Sequence, residues 1–142
     1  MRFLISRYLL FALVSVLISS CKKYPDGPGI SFRSKTSRIG ATWYLEQYFL
    51  NDVDETDPYY ALYGQYYWMT ISRSGAYQIY GNFPENGACH FSNKHKIFVF
   101  QPFGSLSVER NCTILRLEYK SFWFKYVQSN GDVEEFHYKC YR

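Results

Sequence analysis

Cysteines, histidines and carboxylates are the side chains with which this chain could do chemistry, and their spacing limits what that chemistry is. Cys89, Cys112 and Cys140 do not recur at the intervals of a zinc knuckle, so they point to disulfide bonding or to plain buried thiols. His90 and His95 flank a short polar stretch and could face one another across a hairpin. No further ligand accompanies them, and with His137 they are expected to be structural or solvent-facing. The run Asn51-Asp52-Val53-Asp54-Glu55-Thr56-Asp57 spaces its oxygens loosely like a calcium loop. It lacks the glycine at the sixth position and the distal bidentate glutamate, and reads as a solvated acidic loop. Glu134 and Glu135 are neighbours in an alternating segment, so they face opposite sides of a strand and do not form a carboxylate pair. A nucleophile–base spacing, a phosphate-cradling glycine loop and a zinc signature are all missing. The expectation is a protein that is not an enzyme and carries neither metal nor cofactor.

The elements that must position these residues are strands. Aromatics make up 21% of the 142 residues, with 15 Tyr and 12 Phe, and flat rings suit a pleated, half-buried surface. From Arg38 onward no stretch carries a clear apolar stripe at helical spacing; period-two alternation dominates. It predicts eight strands at about 41–50, 65–73, 76–81, 87–92, 96–101, 111–118, 121–127 and 133–141. Ser72-Arg73-Ser74-Gly75 and Ser129-Asn130-Gly131-Asp132 read as hairpin turns. Eight strands joined in sequence form a meander, which hides its edges by closing into an up-and-down antiparallel barrel. An interior of that size is filled by side chains or holds one small ligand. The connections 51–64, 82–86 and 102–110 are long and, with the turn before 133, fall at one end. The other end has tight turns only and forms a floor. The mouth then gathers Tyr59, Tyr60, Tyr63, Tyr66, Phe83 and Phe103, rings that suit a small, mostly apolar ligand or a simple lid over the barrel.

Ahead of this domain, Arg2 and Arg7 precede an apolar run from Tyr8 to Ile18. That run is shorter than the roughly 20 residues a membrane-spanning helix needs but suits the core of an export signal. Ile18-Ser19-Ser20-Cys21 resembles the lipobox of bacterial lipoproteins. The resemblance implies cleavage before Cys21, acyl chains on its thiol, and a protein moored to a membrane through them. Two or more chains anchor firmly at about 0.8 kcal/mol per buried methylene. Residues 1–20 are then the signal peptide, residues 21–37 the lipidated cysteine and a polar Gly-, Pro- and Ser-rich tether, and residues 38–142 the barrel. Lys22, in place of an aspartate after the cysteine, implies the outer membrane by analogy with lipoprotein sorting and leaves the periplasmic or surface face open. Without Arg2 and Arg7 the 16 basic residues fall to 14 against 12 acidic. A net charge of +2, dispersed along the chain, does not suit a nucleic-acid partner.

Arg38-Ile39-Gly40-Ala41-Thr42-Trp43-Tyr44-Leu45-Glu46 is similar to the opening strand of the lipocalin-like lipoproteins of Bacteroidota. Asn51-Asp52-Val53-Asp54 resembles the loop that follows it there, Ser74-Gly75-Ala76-Tyr77 a hairpin, and Phe122-Trp123-Phe124-Lys125-Tyr126 a late strand. The resemblance covers about 38–142 and implies a lipocalin-like barrel. It departs at Ala41-Thr42-Trp43, where lipocalins have Gly-x-Trp, and at Cys89, where related chains often carry a second tryptophan. It also implies that Trp43 plugs the barrel floor, with Lys139 or Arg142 stacked over it as a structural cation–π contact.

Export places the cysteines in an oxidising compartment with three left after lipidation. Strands 87–92 and 111–118 both begin at the mouth, so Cys89 and Cys112 are the candidate disulfide pair. One strand lies between them, and three buried free thiols are the alternative. Two functions follow: a tethered module binding a small ligand at the mouth, or a structural or interaction lipoprotein with a filled barrel and no small-molecule ligand.

Overall fold

Turn chemistry cuts the chain where the alternation stops. In the computed structural model, which describes residue 25, residues 33–104 and residues 108–141, the strands are β1 (Ala41–Leu50), β2 (Val53–Asp54), β3 (Trp68–Ile71), β4 (Ala76–Tyr80), β5 (Glu85–Ser92), β6 (Ile97–Pro102), β7 (Arg110–Leu117), β8 (Ser121–Val127) and β9 (Val133–Lys139). Two short helices join them, α1 (Lys35–Ile39) and α2 (Thr56–Tyr63). Neighbours in sequence pair antiparallel from β3 to β9, and β1 pairs with both β3 and β9. The eight long strands thus close into an up-and-down barrel, with β2 as an extra two-residue strand folded back on the end of β1. Asn51 and Asp52 supply that turn with positive φ values of 52° and 66°, a conformation these two residue types tolerate better than most.

Two register shifts shape the interior. β1 is bulged between Leu45 and Gln47, so Trp43, Leu45 and Tyr48 are all buried although strict alternation would turn Tyr48 outward. β7 is bulged between Ile114 and Arg116. Cys112, Ile114 and Leu117 therefore join the core, and Leu115 does not share the face of Leu117 as alternation predicted.

The two ends differ as the loop lengths predicted. The floor carries the tight turns at Ser72–Gly75, Asn93–Lys96 and Glu118–Lys120, together with α1. Trp43 lies above α1 with no exposed surface and donates its indole N–H to the Ile39 carbonyl at 2.8 Å. Arg38, also buried, donates Nη1 to the Leu117 carbonyl at 2.6 Å. Above them Met69, Phe98, Ile114, Leu117 and Phe122 fill the lower barrel almost without exposure. The plug is as expected, but the basic cover is not. Lys139 points outward, bonds Glu46 at 3.1 Å and lies over the Tyr141 ring. Strand parity is the reason: Tyr138 faces inward, so Lys139 cannot. Arg142 lies outside the described residues.

The tether reading stops short as well. Residues 35–37 belong to α1, whose first turn is capped by the Ser34 side chain on the Ser37 N–H. The signal, Cys21 and nearly all of 21–32 lie outside the described residues. Among the described residues no helix is long and apolar enough to cross a membrane.

Candidate functional site

The upper half of the barrel is not filled. A cavity of about 310 Å³ sits between α2, the mouth ends of β5, β7, β8 and β9, and the ring layer below. Its deep part is apolar: Met69, Ile79, Phe100, Cys112, Phe124 and Phe136. Its upper part is ringed by Glu85, Arg110, Tyr126, Gln128 and Glu134, with Tyr59, Tyr63 and Phe83 at the entrance.

The polar ring is organised by hydrogen bonds. Arg110 and Glu85 form an ion pair, and the Tyr77 hydroxyl donates to the same Glu85 oxygen at 2.6 Å. Burial works against the Arg110 charge, but the Glu85 carboxylate more than restores it and holds the guanidinium above its ordinary value. Glu134 accepts from the Tyr48 hydroxyl at 2.9 Å and from Gln128 Nε2 at 2.6 Å; burial and the nearby Glu134 carboxylate raise the Tyr126 phenol. Tyr59, Tyr67 and Tyr138 also line the cavity wall, and burial raises all three phenols. Paired polar groups on strand ends hold their positions before any ligand arrives, which lowers the ordering cost of binding.

α2 is the element the alternation pattern hid. Asp54 accepts from the Thr56 N–H at 3.0 Å and from its hydroxyl at 2.6 Å, which starts the helix. Pro58 sits in the first turn, where a missing N–H costs nothing. Gly64, with φ 105°, ends it. One turn apart, Tyr59 and Tyr63 share a face and stack at 4.3 Å. Tyr59 is buried among Tyr48, Tyr67 and Phe136. Of the six rings expected at the mouth, Tyr59, Tyr63 and Phe83 line the cavity. Tyr60 turns aside and donates to the Leu45 carbonyl. Tyr66 and Phe103 are 84% and 68% exposed and lie outside the cavity.

The expected disulfide is absent: Cys89, Cys112 and Cys140 are free and buried. Cys89 stands opposite Phe100 and Cys112 opposite Phe98, on the two sides of β6, so a full strand and a two-residue offset separate them. Burial pushes the Cys89 and Cys112 thiols up to about 12. Iodoacetamide is therefore expected to leave all three unlabelled in the folded protein and to label all three after denaturation without reductant. Intact mass reads the difference, and two thiols that stay blocked in denaturant would restore the disulfide.

The remaining candidates sort simply. Asn51 and Asp54 spend their oxygens on Val133, on Thr56 and on turn geometry, and no group of metal-ligating side chains gathers among the described residues. Glu135 faces outward to His137 at 2.6 Å, opposite in direction to Glu134. His137 stacks on Trp123 at 4.0 Å outside the barrel, His90 is exposed, and the His95 side chain is outside what the structure describes. Of the charged part of the site, Glu85 and Arg110 were not singled out from the sequence, and Glu134 was weighed only as half of a carboxylate pair that it does not form. The available signal was parity, since Glu134 alternates in phase with Phe136 and Tyr138. No family model matches this chain. No curated protein matches it either.

Proposed function

We propose that this protein is a membrane-tethered binding barrel that takes one small molecule through the long-loop mouth. The observation that carries the reading is the cavity of about 310 Å³, at the lower end of the volumes typical of small-molecule sites. It coexists with a lower barrel packed tightly around Trp43 and Phe122. A filled structural barrel has no reason to leave its upper half open beneath a ring of ordered polar groups. The deep walls favour an apolar or aromatic portion of the ligand, and the upper ring favours a polar end. In this reading the chain binds and does not catalyse.

The tether half of the proposal rests on Ile18-Ser19-Ser20-Cys21. With acyl chains on Cys21 in the outer membrane, the chain would enter the barrel from α1 at the floor, and the mouth would open away from the bilayer. Native mass spectrometry of the mature protein purified from its own host tests the binding half: a reproducible extra mass of small-molecule size, released on unfolding, is the expected result. A bare polypeptide mass together with no uptake of any added probe would leave the filled-barrel alternative. Labelled palmitate incorporation, lost in Cys21→Ala, tests the anchor separately.

A further inference from the structure

The charges lining the cavity do not balance. Glu85 and Arg110 neutralise one another as an ion pair. Glu134 is left as a carboxylate whose hydrogen-bond partners are all neutral, the Tyr48 hydroxyl and Gln128 Nε2, with the Tyr126 phenol nearby on the cavity wall. It makes no ion pair among the described residues. The cavity as a whole therefore carries one net negative charge, half sheltered from water and surrounded by aromatic rings. A lone carboxylate in such a setting is costly, and neutral donors offset only part of that cost.

We propose that the cavity is built for an organic ammonium ion, its apolar or aryl portion among Phe100, Phe124 and Phe136 and its cationic head at Glu134 beneath Tyr63 and Phe83. This inference rests on the reading of the barrel as a binder and adds the charge of what it binds. An ammonium head supplies the missing counter-charge where the local dielectric is low and attraction is strong, and the π faces at the entrance add cation–π attraction. An organic anion meets the reverse conditions. It would approach Glu134 and would have to displace Glu85 from Arg110, breaking a formed ion pair and the Tyr77 hydrogen bond. A neutral molecule fills the space but leaves Glu134 without a counter-charge.

The test is isothermal titration of the purified full chain in neutral detergent micelles against three probes of similar shape: phenethylammonium, hydrocinnamate and phenethyl alcohol. Micelles alone serve as the blank. The ammonium probe is expected to bind most tightly, and Glu134→Gln, which keeps an acceptor but removes the charge, is expected to weaken it roughly thirtyfold or more. Glu85→Gln leaves Arg110 unpaired and is expected to shift preference toward the carboxylate probe. Charge selectivity in the unaltered protein is informative even if a variant fails to fold. Equal or tighter binding of hydrocinnamate or the alcohol would overturn the ammonium assignment while leaving the barrel a binder. Failure of all three probes, and of a naphthyl fluorescent probe, would overturn both.

Discussion

Trp43→Ala is expected to cost about 3–5 kcal/mol, the range for removing a fully buried tryptophan. That is a large share of the roughly 5–15 kcal/mol by which domains of this kind are stable. The indole has no exposed surface, packs on Phe122 at 5.7 Å and faces Met69 across the β1–β3 register. Its removal leaves a void with closed strands on every side, and a closed sheet cannot collapse inward as a loop can. The lost N–H also frees the Ile39 carbonyl at the end of α1, so the floor loosens along with the core. Trp43→Phe keeps a ring on Phe122 and should fall between the two. Urea unfolding reads the loss as a lower midpoint at similar slope. A loss under about 1 kcal/mol would mean that the floor is held by α1 and Arg38 rather than by the tryptophan plug.

The barrel itself was legible because its signals are local. Gly75 and Gly131 sit where hairpins need positive φ, and β8 runs from Ser121 to Val127 as the alternation between Lys120 and Ser129 predicts. Loop lengths alone placed the open end. The site was far less legible, for reasons that lie in strand ends and bulges. Glu85 and Arg110 occupy the first positions of β5 and β7. Alternation starts those strands at 87 and 111, so both charges fell into loops and their shared inward direction was lost. Their pairing across 25 residues has no counterpart in sequence spacing. α2 escaped because eight residues make barely two turns, and Tyr59 with Tyr63 is its only inward pair. Its punctuation by Asp54, Pro58 and Gly64 was present but falls within a run that also reads as an acidic loop. The cysteine pairing failed on lateral distance: being at one end of a barrel does not bring two strands together when a third lies between.

Alkaline titration is expected to unfold the barrel cooperatively. Burial raises the phenol pKa of Tyr59, Tyr67 and Tyr138, which line the cavity wall. A raised pKa means that the folded state holds the proton more tightly than the unfolded chain does. Stability is then intact below the ordinary phenol value near 10 and is lost as pH rises from there toward the folded values. Each such group contributes a slope of about 1.4 kcal/mol per pH unit, and three acting together would exhaust a marginal domain within roughly one to four units. The Cys89 and Cys112 thiols, raised to about 12 by burial, add to the loss from about pH 9 upward. Phenolate absorbance followed alongside near-ultraviolet circular dichroism should show a steep phase coincident with loss of tertiary signal. One smooth phase near pH 10 with tertiary signal retained would mean that water reaches the tyrosine cluster. The cavity would then be an open vestibule, too wet to make the Glu134 charge selective.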